Sequence, residues 1–186
     1  MRWVRWPTCN GWRRRRVEGG QGLAALRIIE DDLSGAAIRA LLEEHFAGML
    51  AASPPGTCHF LDIDGLKAPG VTFWSAWVDG ADGTDGGAAP TLAGMGALKQ
   101  HDAALGEVKS MRTHAAHLRT GVAAAVLTHI IAEARARGLV RLALETGTSA
   151  DFAPAIALYH AHGFVDCAPF ADYSATDFNR YLVLEL

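Results

Sequence analysis

Cysteine is scarce: three residues in 186, Cys9, Cys58 and Cys167, odd in number and far apart. Such a set builds neither a disulfide framework nor a zinc site, and it fits free thiols in a reducing cytoplasm. No unbroken apolar run is long enough to span a bilayer, so no membrane segment is expected. The net charge is only −3, from 17 basic and 20 acidic residues. A chain-wide nucleic-acid footprint is therefore missing. Nucleotide fingerprints are missing too, since no Lys-Ser/Thr follows Gly121 and no full G-x-G-x-x-G occurs. No internal repeat is present. What remains is a chain that is 50% hydrophobic and long enough for one domain with a real core.

Residues 1–25 differ from the rest. Arg2, Arg5 and Arg13 to Arg16 face one acid, Glu18, with Trp3, Trp6 and Trp12 between them. They read as a basic arm for nucleic acid or anionic lipid, or as a disordered extension; the lack of periodicity favours the second. No apolar core follows the charges, against a secretory signal. Residues 26–186 read as a single domain without an internal boundary.

Within it, Leu26 to Ile29 is a short strand, followed by a helix with Ile38, Leu41, Leu42, Phe46 and Met49 on its apolar side. Asp32 or Ser34 is placed to cap that helix, and Ser53-Pro54-Pro55-Gly56 turns the chain after it. Val71 to Val78 is β-branched and aromatic, a strand. Leu92 to Lys99 is another, in which Gly94 and Gly96 predict a bulge or a close-packed neighbour. Glu107 to Thr113 alternates as a strand. Val122, Val126, Ile130 and Ala134 form a helical stripe that ends at Gly138. Leu139 to Glu145, a helix through Pro154 and Tyr159, and strands at Phe164–Cys167 and Arg180–Leu184 complete the order β-α-β-β-β-α-β-α-β-β. This is a mixed-sheet α/β domain.

The turn at Leu118-Arg119-Thr120-Gly121-Val122-Ala123 opens a helix directly after a strand. It is either a plain glycine cap or an anion cradle of free N–H groups at a positive dipole end. Downstream stands Ala155-x-x-Leu158-Tyr159-x-x-x-Gly163-Phe164. These two segments, in this element order, resemble the GNAT superfamily of acetyl-CoA-dependent N-acetyltransferases. The first is similar to its acyl-CoA loop, Arg/Gln-x-x-Gly-x-Gly/Ala, and the second to its A-x-x-L-Y-x-x-x-G-F helix. Leu118 departs from the usual Arg or Gln, although Arg119 is adjacent, and Phe152 stands where many members have Asn.

The resemblance implies a mostly antiparallel sheet with two splayed parallel strands, flanked by helices. It implies acetyl-CoA as co-substrate, no metal, and transfer to the amine of a small molecule. Met111, Thr113 and the amides of Arg119, Thr120, Gly121, Val122 and Ala123 are expected to hold the cofactor. Tyr159 is expected as general acid toward the sulfur, a phenol being protonated at neutral pH. The expected base is Glu107, with Glu145 as the other candidate. His45, Ser53, His59, Trp74 and Tyr173 are candidate acceptor contacts. His114-x-x-His117 lacks a third ligand nearby and is set aside as a metal pair. Exposed strand edges leave room for a homodimer. The alternative function is a non-catalytic acyl-CoA-binding module of the same fold.

Overall fold

The computed structural model describes residues 26–54, 59–79 and 89–186. The extension expected over residues 1–25 lies outside these, as does the centre of the loop expected between Asp79 and Pro90. The strands are β1 (Leu26–Glu30), β2 (Val71–Val78), β3 (Thr91–Gln100), β4 (Leu105–Thr113), β5 (Arg141–Gly147), β6 (Val165–Asp166) and β7 (Asn179–Glu185). They form one sheet in the order β1-β2-β3-β4-β5-β7-β6. Every neighbouring pair is antiparallel except β4 with β5. The helices are α1 (Ala36–Ala52), a single turn α2 (Ile63–Leu66), α3 (Val122–Ala136) and α4 (Ala153–Ala161).

The two faces of the sheet carry separate cores. On one, α3 buries Val122, Val126, Leu127, Ile130, Ile131 and Ala134 against β3 to β5, together with Tyr159 and Phe164. This is the stripe expected from the sequence, and each of its larger side chains contributes about 1.5–3 kcal/mol by leaving water. On the other, α1 and α2 bury Ile38, Leu41, Leu42 and Leu66 against Phe73, Met95 and Ala97. The paired glycines of β3 let α3 press onto the sheet. A Cβ at Gly94 would stand 2.7 Å from Val122 Cγ1, and one at Gly96 would stand 2.7 Å from Met111 Sδ and 2.8 Å from Val126 Cγ1.

Three local expectations are corrected. The residue capping α1 is Gly35, without a side-chain bond. The Asp31 and Asp32 carboxylates instead accept from the N–H groups of Leu33 (2.8 Å) and Ser34 (2.9 Å), closing Asx turns two residues on. The strand expected from Leu139 begins at Arg141, because Leu139 N–H closes back onto Ala134 O at 3.1 Å and Val140 is left exposed. The last hairpin is mostly irregular on its first side, with β6 reduced to Val165 and Asp166.

Candidate active site

Among the described strands the sheet opens between β4 and β5. β4 and β5 are paired only from Leu105–Glu107 to Arg141–Ala143. Beyond that they part, and the β4 edge facing β5 carries unpaired backbone groups. Two β4 residues, Ser110 and Met111, stand opposite the single residue Gly96, since the register runs from Ala97↔Lys109 to Met95↔Arg112. Ser110 takes the left-handed conformation (φ 52°) that this bulge demands. The bulge therefore lies inside the opening.

The gap holds a narrow cavity of about 110 Å³. Ser110 and Met111 line it from β4, Glu145 and Thr146 from β5, Ala155 and Tyr159 from α4, and His45 from α1. Tyr159 is buried, and burial pushes its phenol up to about 12, so the proton stays on. Its hydroxyl has no hydrogen-bond partner among the described residues and is not one of the fully enclosed polar atoms. His45 is the reverse case. Burial first, then the charges of Arg112 and Lys109, lower its imidazole to about 4, so it is neutral near pH 7.

The end of β4 leads through a 3-10 turn (Ala115–His117) to the start of α3. Arg119 has φ 60° and Gly121 φ 90°, and a Cβ at Gly121 would meet nothing within 4 Å. The first helical bond of α3 is Ala125 N–H to Gly121 O at 3.0 Å. The N–H groups from Arg119 to Ala124 consequently have no acceptor within the described residues. A run of free amides at a helix start is the donor set that a pyrophosphate takes up. Leu118, in the place of the usual Arg or Gln, is exposed and offers no polar atom.

Below the gap lies a buried charge cluster. Glu107 is fully enclosed, and both its oxygens are engaged. Oε1 accepts from Tyr173 Oη (2.7 Å) and pairs with Lys109 Nζ (3.1 Å), while Oε2 lies 2.9 Å from His101 Nε2. Lys109 also donates to Tyr173 Oη and to the carbonyl of His59, each at 2.8 Å. Burial and the adjacent Glu107 carboxylate hold the Tyr173 phenol well above its ordinary value. Glu145 sits on the far side of the gap. It accepts from Asn179 Nδ2, and its Oε1 is 3.4 Å from His59 Nδ1.

The structure thus brings Tyr159, Met111, His45 and His59 around one opening, with Tyr173 on an adjoining cavity that shares His59, Thr113 at the end of β4 and the Arg119–Ala123 loop beyond it. It does not bring Trp74 there. Trp74 is buried on the α3 face, edge-on to His129 at 5.1 Å with Arg137 over its ring. Ser53 follows α1 with its hydroxyl enclosed and without a partner among the described residues, away from the cavity lining. Glu107 lies beneath the cavity and not on its wall. The residues that sequence reasoning passed over are Lys109 and the pair Lys99 and His101. The alternation Glu107-x-Lys109 carried the signal for the first, since it places both charges on one face of β4.

Residues 6–164 match the family model described as Acetyltransferase (GNAT) family. The uncharacterized N-acetyltransferase YsnE of Bacillus subtilis (strain 168) is 51% identical over 148 residues, spanning 80% of this chain and 91% of its own length. The uncharacterized N-acetyltransferase YedL of Escherichia coli (strain K12) is 48% identical over 159 residues, 86% of this chain and 94% of its own. A solved Bacillus subtilis acetyltransferase in complex with CoA has the same fold, with a TM-score of 0.59 at 18% identity, covering 87% of this chain and 99% of that one.

Proposed function

The chain belongs to the GNAT acetyltransferase family and is an N-acetyltransferase, and from that premise we propose direct acetyl transfer from acetyl-CoA to the amine of a small molecule, with Tyr159 as general acid. The observation that carries this reading is Tyr159 itself. A protonated phenol with no hydrogen-bond partner among the described residues lines the gap that β4 and β5 leave between them. An unspent donor in that position has one evident use, toward a group that enters the gap.

Bound acetyl-CoA supplies an acyl group already activated as a thioester. The free amides from Arg119 to Ala124 hold the pyrophosphate, with Arg119 as the cation on the same loop in place of the residue missing at Leu118. The parted edge of β4 at the bulge offers N–H groups to the thioester oxygen. Tyr159 Oη gives its proton to the departing sulfur. The base is Glu145 and not Glu107. Glu145 is on the cavity wall, beside His59, whereas the Glu107 oxygens are consumed by Tyr173, Lys109 and His101. Glu145 takes the proton of the attacking amine, directly or through His59.

The test is an acceptor screen, with release of the CoA thiol followed in time. Amine-dependent release is expected with at least one class of small amine, and Glu145→Gln is expected to lower kcat while leaving the affinity for CoA intact. CoA binding with no amine-dependent release from any class would sink the proposal.

A further inference from the structure

His59 and Phe60 border a second cavity, of about 310 Å³, that adjoins the gap on the acceptor side. Its other walls are Lys99, His101, Asp172 and Tyr173. Phe60 and Tyr173 give this otherwise polar cavity two aromatic walls, and both rings are packed against neighbours. Phe60 lies on Phe46 of α1 at 4.9 Å, and Tyr173 meets the His59 ring edge-on at 5.2 Å. One ammonium in this cavity is free. Lys99 stands opposite Glu107 in the β3–β4 register, yet that carboxylate is already paired with Lys109 and closed off beneath His101. Lys99 has no hydrogen bond or ion pair with any described residue, and none to Asp172 across the cavity. A half-buried cation on a fixed strand, lining the same cavity as Phe60 and Tyr173, has no counter-charge among the described residues.

We propose that this cavity takes the carboxylate end of the acceptor, so that the acceptor is an amino acid with an apolar or aromatic side group. Its carboxylate pairs with Lys99, its side group lies along Phe60 and Tyr173, and its amine reaches past His59 into the gap. The proposal rests on the transferase reading above and names the substrate class of that same site. Lys99 is then a specificity residue, acting on ground-state binding of the acceptor and not on the chemical step.

The experiment compares phenylalanine with phenylalaninamide as acceptors for the wild type, Lys99→Met and Lys99→Arg, at saturating acetyl-CoA. The amide carries the less basic amine, so amine ionisation alone favours it; a preference for the acid must come from the site. The wild type is expected to favour the acid at least tenfold in kcat/KM. Lys99→Met is expected to lose at least tenfold on the acid, in KM, and nothing on the amide, and Lys99→Arg to recover most of the loss. Equal use of acid and amide by the wild type, an equal loss on both in Lys99→Met, or turnover confined to amines without a carboxylate would overturn the proposal and leave the transferase reading standing. If no amine is acetylated, the transferase reading fails instead. The cavity is then judged by calorimetric binding of N-acetylphenylalanine against its amide. Binding of the acid alone, abolished in Lys99→Met, supports the site, and indifference to the carboxylate refutes it.

Discussion

Replacing Tyr159 by Phe removes one oxygen from the centre of the proposed mechanism and little else. The ring stays in place beside Phe164, 5.9 Å between centroids. The hydroxyl has no hydrogen-bond partner among the described residues to lose, so the change in folding stability should stay within about 1 kcal/mol. Burial lifts the phenol from 10.0 to about 12, which makes the phenolate about 2–3 kcal/mol more costly in the fold than in the open chain. At pH 8 roughly one molecule in ten thousand is ionised, so the acid is present in full across the working range. Positioned acid catalysis is worth about 10²- to 10⁴-fold, or about 3–5 kcal/mol of barrier. Tyr159→Phe should therefore lose that factor in kcat, with the KM for acetyl-CoA unchanged, in a thiol-release assay at saturating substrates. Stability gives an independent check. The folded pKa lies above the unfolded one, so the contribution of this group is complete below pH 10 and is lost as pH rises toward about 12. The wild type loses that stability at alkaline pH and the Phe variant does not. A variant retaining kcat within threefold of the wild type would refute the acid role.

His45 gives the opposite pH dependence. Its folded pKa of about 4 lies below the ordinary histidine value of 6.5, so its contribution is complete above pH 6.5 and is lost as pH falls toward 4. Urea unfolding at pH 7 and pH 5 should show about 2 kcal/mol less acid destabilisation in His45→Phe than in the wild type. Lys109→Met strands the enclosed Glu107 charge and should cost about 3–5 kcal/mol in urea unfolding, part of which Glu107→Gln in the same chain restores. Gly121→Ala meets no steric contact, but an L-residue at φ 90° is strained by about 1–2 kcal/mol. The strain turns the amides of the loop, and the KM for acetyl-CoA should rise about tenfold, measured beside a thermal melt that falls only a few degrees.

The α3 side of the sheet was legible in the chain because its determinants are local. The stripe from Val122 to Ala134 is set by helical spacing, and Gly94 with Gly96 announces that something presses on β3. The acceptor side was less legible because it depends on which strand face meets which loop. Trp74 and Phe73 are neighbours in β2 and point to opposite cores, so an aromatic strand alone does not say which ring reaches a site. Lys99 acquires meaning only once the β3 register puts it across from Glu107 and the Ala171–Tyr173 loop folds over both. The Asx turns at Asp31 and Asp32 likewise compete with capping through bonds two residues on, which composition does not distinguish.

The two glutamates show how the opening of the sheet assigns roles to identical side chains. Glu107 is aligned with Ala143 in the last rung of the β4–β5 ladder, where the strands are still held together. A carboxylate there is sealed and has to be neutralised in place, which Lys109, Tyr173 and His101 accomplish. Glu145 is two residues beyond Ala143, where β5 has left β4 and its side chain meets the cavity. The sealed cluster still bears on function, because Lys109 ties the His59 carbonyl and Tyr173 ties its own loop to β4. Both loops then stand where the second cavity meets the gap. In the proposed mechanism Glu107 positions the walls on either side of Glu145 and Tyr159, and its loss should loosen His59 and Tyr173 together, raising acceptor KM before it touches the affinity for CoA.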